Sequence, residues 1–599
     1  MKRAVLPVLI LICACACAAQ VRAAPQEGAP ALDEIFAEYW QELLEHNPLF
    51  ATYLGDHRYD DRYPVDIAPA YIAASKALAQ RYLARVEAVN PAGLDEQDRL
   101  SREIFLDDRR RELEGYRFPD ELLPVSQFYS APNGFAQLGS GTGPHPFETT
   151  QDYENFLSRI DGFVAWVDQA IVNLKKGMKA GVVQPKILME RTVPQLASQI
   201  VAKPEDSMFY RPVADFPDGV PAADRERLRE RYVAAIRNQL VPAYTKLRDF
   251  VRDQYLPACR DTVGLYALPN GEAWYDYLVR RHTTTELRPD EIHQIGLDEV
   301  ARIHEQMHEV MEQVDFEGDL DAFFEFLNSD PRFYFDTREE LLAGYEALRE
   351  RADRGARKLF RRIPKAGFEI RAVEPFREKS ASGGSYRGPS ADGKRPGVFY
   401  VNAYDLSARP SWAMESLYLH EAVPGHHFQA ALSLELTDLP EFRRYGSYTA
   451  FGEGWGLYAE SLGPAMGFYE DPYQYFGMLN AELWRAIRLV VDTGIHAKGW
   501  SRQQVLDYMY ANSATKEARA VSEAERYMAI PGQALSYKIG QLKISELRRR
   551  AERELGEDFD LKAFHAQVLE NGELPLQVLD DSVERWIEAE RRRVAGAAQ

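Results

Sequence analysis

The sequence predicts a mainly α-helical protein with one small β-sheet. Apolar residues recur at helical spacing among charged residues in seven long segments. These segments are residues 33–46, 68–88, 96–114, 150–180, 222–255, 287–314 and 338–363. The clearest strand-like run is 398–402, which follows a Gly- and Ser-rich loop at 380–397. No internal repeat is found at solenoid periods, so we expect a helical body rather than a repeat array.

The composition is that of a folded protein that does not depend on nucleic acid. Of the 599 residues, 45% are hydrophobic and 27% are charged, as in ordinary globular chains. The formal net charge is −20, and a chain this acidic is poorly suited to binding phosphate backbones. We predict that 24–599 form one helical unit. A division into an N-terminal subdomain at 30–260 and a catalytic part at 290–599 is the alternative.

The N-terminus has the pattern of an export signal. Two basic residues precede a short apolar stretch at 4–19, and cleavage is predicted after Ala23, which makes 1–23 the signal peptide. The mature chain is therefore expected in the periplasm or outside the cell. Residues 12–15 also weakly resemble a lipoprotein signal, so a lipid anchor at Cys15 is the less favoured alternative. No later stretch reaches the roughly 20 apolar residues of a transmembrane helix.

A metal site is indicated by His420 and Glu421, within a predicted helix at 412–432. Zinc peptidases commonly carry H-E-x-x-H, which sets both imidazoles on one face of a helix. Here Pro424 stands where the second histidine would be, and the next histidine is His426. In a straight helix His426 would be rotated by about 240° from His420. Because proline lacks an N–H and clashes with the preceding turn, we predict that Pro424 interrupts the helix and lets His426 bind the metal.

The remaining ligands follow from spacing and residue type. Gly425 permits the backbone angles of such an interruption, and His426 follows it directly, so we favour His426 over His427 as second ligand. The third protein ligand is usually a carboxylate or a histidine further along the chain. Glu453 lies between glycines that allow close approach, and it is the predicted third ligand. His427 is retained as an alternative ligand, and Glu460 as a group that supports the ligands.

A literal H-E-x-x-H is present at 304–308, but it is not our candidate. The predicted helix around it is heavily charged, and its apolar residues already form the packing stripe of a surface helix. No partner helix with a Gly-Glu or histidine ligand follows at close range, so the third ligand is missing.

The chain resembles the bacterial family grouped as domain of unknown function 885. The resemblance rests on His-Glu-x-x-Pro-Gly-His-His at 420–427 and on Gly-Glu-Gly-Trp at 452–455. It also includes 392–402, 488–496 and 531–538, and it covers most of the chain. That family is related to zinc metallopeptidases of the gluzincin type. The resemblance implies a helical, zincin-like metallopeptidase architecture with the small sheet near the active site.

The predicted chemistry is hydrolysis of an amide bond with one Zn²⁺ per chain. Zinc held by His420, His426 and Glu453 would lower the pKa of bound water and polarise the scissile carbonyl. Glu421 would accept the proton of this water and deliver it to the leaving amine. The expected substrate is a peptide or another small amide.

Four further residues are expected on the substrate side, partly because they lie in the runs that carry the resemblance. His496 or Tyr537 would stabilise the developing oxyanion. Lys538 or Arg488 would pair with a peptide carboxylate, which would direct cleavage toward a C-terminus.

The predicted strand at 398–402 would hold an extended peptide through backbone hydrogen bonds. Tyr400 and Asn402 are its candidate substrate contacts. A simple core strand is an equally good interpretation of the same run.

Two functions of other classes use the same residues. One is metal-dependent hydrolysis of a non-peptide amide or ester. The other is a non-catalytic periplasmic binding protein on the same fold. Glu421 argues against the second, because a binding protein has no need of a general base beside two histidines of metal-ligand type.

Overall fold

The described part of the computed structural model is residues 29–128, 130–374, 378, 381–389 and 396–597. The predicted signal peptide and the alternative lipid anchor at Cys15 lie outside these residues, as does part of the Gly- and Ser-rich loop. Within them the fold is mainly α with one small sheet, which confirms the predicted fold class.

Among the described residues, fifteen α-helices precede the sheet: α1 (Ala29–His46), α2 (Pro48–Leu54), α3 (Pro69–Glu87), α4 (Glu96–Gly115), α5 (Ala131–Leu138), α6 (Thr150–Ala180), α7 (Lys186–Ala197), α8 (Arg211–Ala214), α9 (Ala222–Ala235), α10 (Val241–Phe250), α11 (Gly271–Thr283), α12 (Pro289–Gln313), α13 (Leu320–Ser329), α14 (Arg338–Ala347) and α15 (Arg349–Leu359). Eleven follow it: α16 (Met414–Glu421), α17 (His426–Leu434), α18 (Glu441–Arg444), α19 (Thr449–Ser461), α20 (Gly463–Met466), α21 (Pro472–His496), α22 (Arg502–Asn512), α23 (Glu517–Ala529), α24 (Ser536–Leu555), α25 (Leu561–Leu569) and α26 (Leu576–Ala597).

Most of the segments predicted to be helical coincide with single helices, namely α1, α3, α4, α6 and α12. The segment 222–255 is helical throughout, but it contains π-helical turns at 236–240 and 251–255. Each of these turns ends two residues before a proline, Pro242 or Pro257. A proline cannot donate to the preceding turn and its ring crowds that turn, so a locally wider helix accommodates it. The last predicted segment divides into α14 and α15.

The sheet has three strands, β1 (Phe368–Ala372), β2 (Gly384–Arg387) and β3 (Gly397–Val401). Their order is β1-β3-β2, with β1 parallel and β2 antiparallel to the central strand β3. All residues of β3 are buried. The sheet packs against α16 and α17, so it lies beside the segment that carries the candidate metal ligands.

One continuous cluster of buried apolar side chains extends from Leu32 to Ile587. Buried polar contacts also join distant parts of the chain, since Arg443 donates to Ser101 and to the carbonyl of Asn571. The helices that carry the candidate site, α16, α19, α21 and α24, pack on one another within this body. No helix among the described residues has the length and apolar character needed to cross a membrane.

Candidate metal centre

The predicted interruption is present, because α16 ends and α17 begins only at His426 after a four-residue insert. Gly425 packs against the last turn of α16, where a Cβ would lie 1.9 Å from the His420 carbonyl oxygen. Only glycine tolerates so close an approach. The Val423–Pro424 peptide bond within the insert is cis. The insert brings His426 back toward His420, and their ring centroids are 4.7 Å apart.

His420, His426 and Glu453 come together at this point. Their ligand atoms all lie within 4.8 Å of one another, and no other such group of three is found in the described part of the chain. The Oε2 atom of Glu453 is 3.6 Å from Nε2 of His420 and 3.4 Å from Nε2 of His426. His420 is buried, whereas His426 and Glu453 keep part of their surface in solvent.

These separations fit a tetrahedral metal ion. With bonds of about 2.0–2.1 Å, two ligands of such an ion are about 3.3 Å apart. Both distances from the Glu453 oxygen are close to this value. Two imidazoles and one carboxylate form a donor set of catalytic zinc sites, in which a fourth position stays open. The three residues therefore fit a catalytic divalent metal ion.

Glu460 holds His420 in the orientation that metal binding needs. The Nδ1–H of His420 donates to Glu460 Oε1 at 2.8 Å, so the lone pair of Nε2 is left for a metal. Ser416 donates to the other carboxylate oxygen, and Glu460 is almost completely buried. A carboxylate in this position fixes the tautomer of a histidine ligand and raises its basicity. Glu460 therefore lies where it could support His420 as a ligand, and this role stays a prediction.

The charges of the cluster are coupled. Burial lowers the pKa of His420, but the carboxylates of Glu453 and Glu460 outweigh it and raise this pKa to about 9. Burial alone would raise the pKa of Glu453, but His420 and His426 hold it well below its usual range. A divalent cation bound at this point would take the place of the proton on His420. Metal binding and protonation would therefore compete for the same site.

Glycines let α19 approach its neighbours closely enough to position Glu453. Gly456 lies against the His420 imidazole, and a Cβ there would be 2.8 Å from Cε1. On another side of the helix Gly454 meets α24, where a Cβ would be 2.5 Å from the Cα of Gly540. Larger residues at these points would separate the helices that carry the ligands.

Tyr537 and Arg488 extend the site toward α24 and α21. Burial and the neighbouring Glu453 carboxylate raise the pKa of the Tyr537 hydroxyl, so this hydroxyl lies close to that carboxylate. The Arg488 guanidinium stacks on the Tyr537 ring, with 4.3 Å between Cζ and the ring centroid. Tyr537 is therefore next to a metal-ligand candidate, where its hydroxyl can donate to an oxyanion.

Glu421 is the last residue of α16 and directly follows His420. The residue is only 7% exposed. No hydrogen bond or ion pair among the described residues engages its carboxylate. Its charge adds to the effect of burial in raising the pKa of Tyr345, which locates this tyrosine as a neighbour. A buried carboxylate with free oxygens, on the residue that follows a metal-ligand candidate in the sequence, suits a general base.

His427 faces the sheet instead of the cluster. Its Nδ1 accepts from the Tyr386 hydroxyl at 2.9 Å, and its ring packs on Phe368 with 4.5 Å between centroids. Burial lowers its pKa to about 4. The structure thus separates the two adjacent histidines, and His427 is not among the grouped ligand candidates.

Both ring nitrogens of His496 form hydrogen bonds with the backbone, so the prediction that His496 stabilises an oxyanion is wrong. Its Nδ1 accepts from the Leu265 N–H, and its Nε2–H donates to the Tyr527 carbonyl. The side chain is fully buried, and burial lowers its pKa to about 3. Because both ring nitrogens are used by the backbone, His496 has no donor for a substrate.

The Lys538 ammonium is likewise paired with side chains of the protein itself, so the prediction that it pairs with a substrate carboxylate is wrong. Its Nζ lies 2.5 Å from Glu482 Oε1, 2.8 Å from Glu299 Oε2 and 2.7 Å from Gln541 Oε1. An ammonium has three donors, and here each has an acceptor. The side chain is fully buried, so a substrate does not reach it.

The predicted strand at 398–402 is present as β3, but it cannot hold an extended peptide as predicted. Both of its edges are paired, with β1 and with β2, so no row of backbone groups is left for a substrate. Asn402 donates to the carbonyls of Glu378 and Ala381, and its amide shapes the adjoining loop. Tyr400 is buried and lies under the Arg387 guanidinium. The core-strand interpretation is therefore correct.

The H-E-x-x-H at 304–308 lies on α12 and its histidines contact the backbone. His304 donates to the Asn512 carbonyl at 3.1 Å, and His308 donates to the His304 carbonyl at 2.7 Å. His308 is exposed. This motif is part of a surface helix, as its charge pattern predicted.

Two residues that position the site were not singled out in the sequence. Trp455 is buried and donates to the Pro424 carbonyl at 2.8 Å, which fixes the insert between α16 and α17. Glu573 accepts from the Tyr448 N–H at 2.7 Å and from Gln429 at 3.1 Å, and so ties α17 to the start of α19. Trp455 is the last residue of the Gly-Glu-Gly-Trp run, so this sequence motif could have identified it as a residue of the site. Glu573 is distant in sequence and has no local signal.

Two solved structures share this fold over nearly the whole chain. One is described as "the putative lipoprotein from Colwellia psychrerythraea"; it is 29% identical, with a TM-score of 0.86 over 94% of this chain and 99% of its own. The other is described as "a putative lipoprotein of unknown function from Shewanella oneidensis"; it is 18% identical, with a TM-score of 0.72 over 92% of this chain and 99% of its own. At that identity the second likeness shows the fold alone.

The sequence also matches a family over most of its length. No curated protein matches the chain. The family described as "Bacterial protein of unknown function (DUF885)" matches residues 48–583. The chain therefore belongs to the DUF885 family.

Proposed function

We propose that the protein is a zinc-dependent hydrolase that cleaves peptide bonds. The observation that carries this proposal is the cluster of His420, His426 and Glu453 with the free carboxylate of Glu421 in the adjoining position. The spacing of the three ligands suits a tetrahedral ion with an open position. A relationship to gluzincin-type peptidases, with a zincin-like arrangement of helices, is part of this proposal.

In the proposed mechanism Glu421, Tyr537 and Glu460 each have one role. His420, His426 and Glu453 would hold a zinc ion, which would supply a Lewis acid for the scissile carbonyl and lower the pKa of bound water. Glu421 accepts a proton from the attacking water and then donates it to the leaving nitrogen. The Tyr537 hydroxyl donates to the carbonyl oxygen as negative charge develops on it. Glu460 keeps Nδ1 of His420 protonated, so that Nε2 stays available as a ligand.

Glu421→Gln tests this assignment of the general base. The amide keeps the size of the side chain but cannot accept the proton, so hydrolysis should fall by about 10²- to 10⁴-fold. Zinc content should stay near one per chain. The matched control is Glu305→Gln in the surface H-E-x-x-H, which should leave turnover unchanged. Full activity in the Glu421 variant contradicts the proposal.

The bond that is cleaved is tested with a panel of peptides, simple amides and acyl esters. We expect Glu421-dependent turnover of peptides. Turnover restricted to esters or non-peptide amides supports the hydrolase of that class instead. Binding without turnover of any member supports the non-catalytic binding protein.

We also propose that the protein acts outside the cytoplasm. The export pattern at 1–23 supports this location, and so does the description of the Colwellia relative as a "putative lipoprotein". The same description favours the alternative prediction, a lipid anchor at Cys15, over cleavage after Ala23. Mass spectrometry of the mature N-terminus separates a diacylated cysteine from an unmodified terminus at Ala24.

A further inference from the structure

Arg488 has a hydrogen-bond donor that the described structure does not use. Its Nε donates to the Tyr527 hydroxyl and its Nη2 donates to Glu523, each at 3.0 Å. Its Nη1 is buried and has no hydrogen-bond partner among the described residues. A buried donor without an acceptor is unfavourable. An acceptor that arrives from outside the chain would complete this arrangement.

Arg519 on α23 is a second guanidinium near the same point. It is exposed and lies over the Trp484 ring, with 4.5 Å between Cζ and the ring centroid. Within the described part of the chain its side chain makes no hydrogen bond or ion pair. Its pKa is lowered to about 10, because desolvation together with the charges of Arg488 and Arg485 outweighs the opposing charge of Glu523.

The carboxylate nearest to these arginines is already saturated. Glu523 accepts from Arg488, Arg526 and Tyr527. Burial alone would raise the Glu523 pKa, but the charges of Arg488 and Arg526 hold it far below its usual range. Arg488 and Arg526 thus share one carboxylate, and Arg519 lies close enough for its pKa to respond to Glu523 and Arg488. This cluster of positive charge stands in a chain whose net charge is −20. Such a local excess of positive charge attracts anions.

The ring of Tyr537 lies between Arg488 and the candidate metal centre. The Arg488 guanidinium stacks on this ring, and the Tyr537 hydroxyl is close enough to Glu453 for that carboxylate to raise the pKa of the hydroxyl. We propose that Arg488 and Arg519 form a subsite for a carboxylate of the substrate, next to the bond that is cleaved. This inference rests on the proposed hydrolase function and names its substrate class: peptides with a negative charge close to the scissile bond.

A planar guanidinium suits this task because its paired N–H donors match the two oxygens of a carboxylate. The carboxylate has two sources in a peptide, the free C-terminus and the side chain of an aspartate or glutamate. The first would direct cleavage to the end of a peptide, and the second would direct it to acidic positions. Both sources present the same group to the two arginines.

Binding is measured in the Glu421→Gln background, so that no peptide is consumed. The probes are three pools of acetylated tripeptides. The first two have uncharged side chains and end in a free carboxylate or in an amide, and the third ends in an amide and has glutamate as its last residue. We expect at least one carboxylate-bearing pool to bind about tenfold more tightly than the uncharged amide pool. The preferred pool identifies the source of the carboxylate. Equal binding of all pools, or binding of none, overturns the inference.

Arg519→Gln tests the subsite, with Arg549→Gln as the matched control. Arg549 is also exposed, and it lies on α24 without a side-chain partner in the described residues. Arg519→Gln should weaken binding of the preferred pool about tenfold and leave the uncharged pool unchanged. Arg549→Gln should change neither. Equal losses in the two variants would point to net charge alone and overturn the subsite.

Different results would contradict the proposed subsite and the proposed hydrolase function. Glu421-dependent hydrolysis without a preference for carboxylates overturns the subsite and leaves the proposed function intact. Arg519-dependent binding of carboxylates by a wild-type protein that cleaves no peptide overturns the hydrolase, and the subsite then belongs to a binding protein.

Discussion

His426 and His427 are neighbours in sequence but have different surroundings. Successive residues of a helix point about 100° apart, so at the start of α17 only one of them can face His420. His426 lies 3.4 Å from the Glu453 carboxylate, whereas His427 hydrogen bonds with Tyr386 of the sheet. The residue-scale account of the site therefore depends on which of the two histidines binds metal.

Glu460→Gln should weaken zinc binding without removing a ligand. The amide retains the shape of the side chain, but it loses the charge that orients Nδ1 of His420 and makes Nε2 more basic. Replacement of such a supporting group typically costs about 10- to 100-fold in metal affinity. Competition with a chromogenic chelator measures this change. Unaltered zinc affinity in the variant would show that Glu460 does not act through His420.

At the scale of elements, the site depends on how closely α19 approaches α16 and α24. Gly456→Ala would place a Cβ 2.8 Å from the His420 ring, so the ring or the helix must shift. We expect a loss of about 1–3 kcal/mol in unfolding free energy together with weaker zinc binding. Gly134→Ala on α5 is the control, because a Cβ there meets nothing within 4 Å. Chemical denaturation and zinc titration of both variants check this prediction, and identical behaviour would refute it.

Helices and the helix break were predictable because their causes are local. Apolar spacing predicted α6 over 150–180, and the Pro-Gly pair predicted the end of α16. The internal hydrogen bonds and ion pairs of His496 and Lys538 could not be predicted from the sequence, because their partners come from distant segments. Nothing in the sequence near His496 shows that Leu265 and Tyr527 occupy its ring.

At the scale of the whole molecule, the candidate metal site lies within a large body that we expect to fold without metal. The buried apolar cluster extends through most of the described chain. Chelation should therefore lower the Tm, because zinc stabilises the state that binds it, but it should leave the helical circular dichroism spectrum unchanged at 25 °C. Loss of that spectrum on chelation would show that zinc is required for the fold.

The stabilisation by zinc should also depend on pH. The pKa of His420 is raised to about 9 in the folded chain, above the value of about 6.5 for an unfolded histidine. Its protonated form therefore stabilises the metal-free protein below pH 6.5, and this contribution is lost as pH rises through 9. Because zinc needs the deprotonated ring, the increase in Tm at constant free zinc should grow from pH 6.5 to 9. An increase in Tm that is the same across this range would contradict the coupling.

Zinc content is the most direct test of the central claim that His420, His426 and Glu453 form the metal centre. It is measured by elemental analysis in wild type, His426→Ala and His427→Ala after equilibration at one free zinc concentration. The account predicts about one zinc per chain in wild type and in His427→Ala, since three protein ligands hold a catalytic ion, and a loss of zinc in His426→Ala. Zinc retained in His426→Ala and lost in His427→Ala would contradict it.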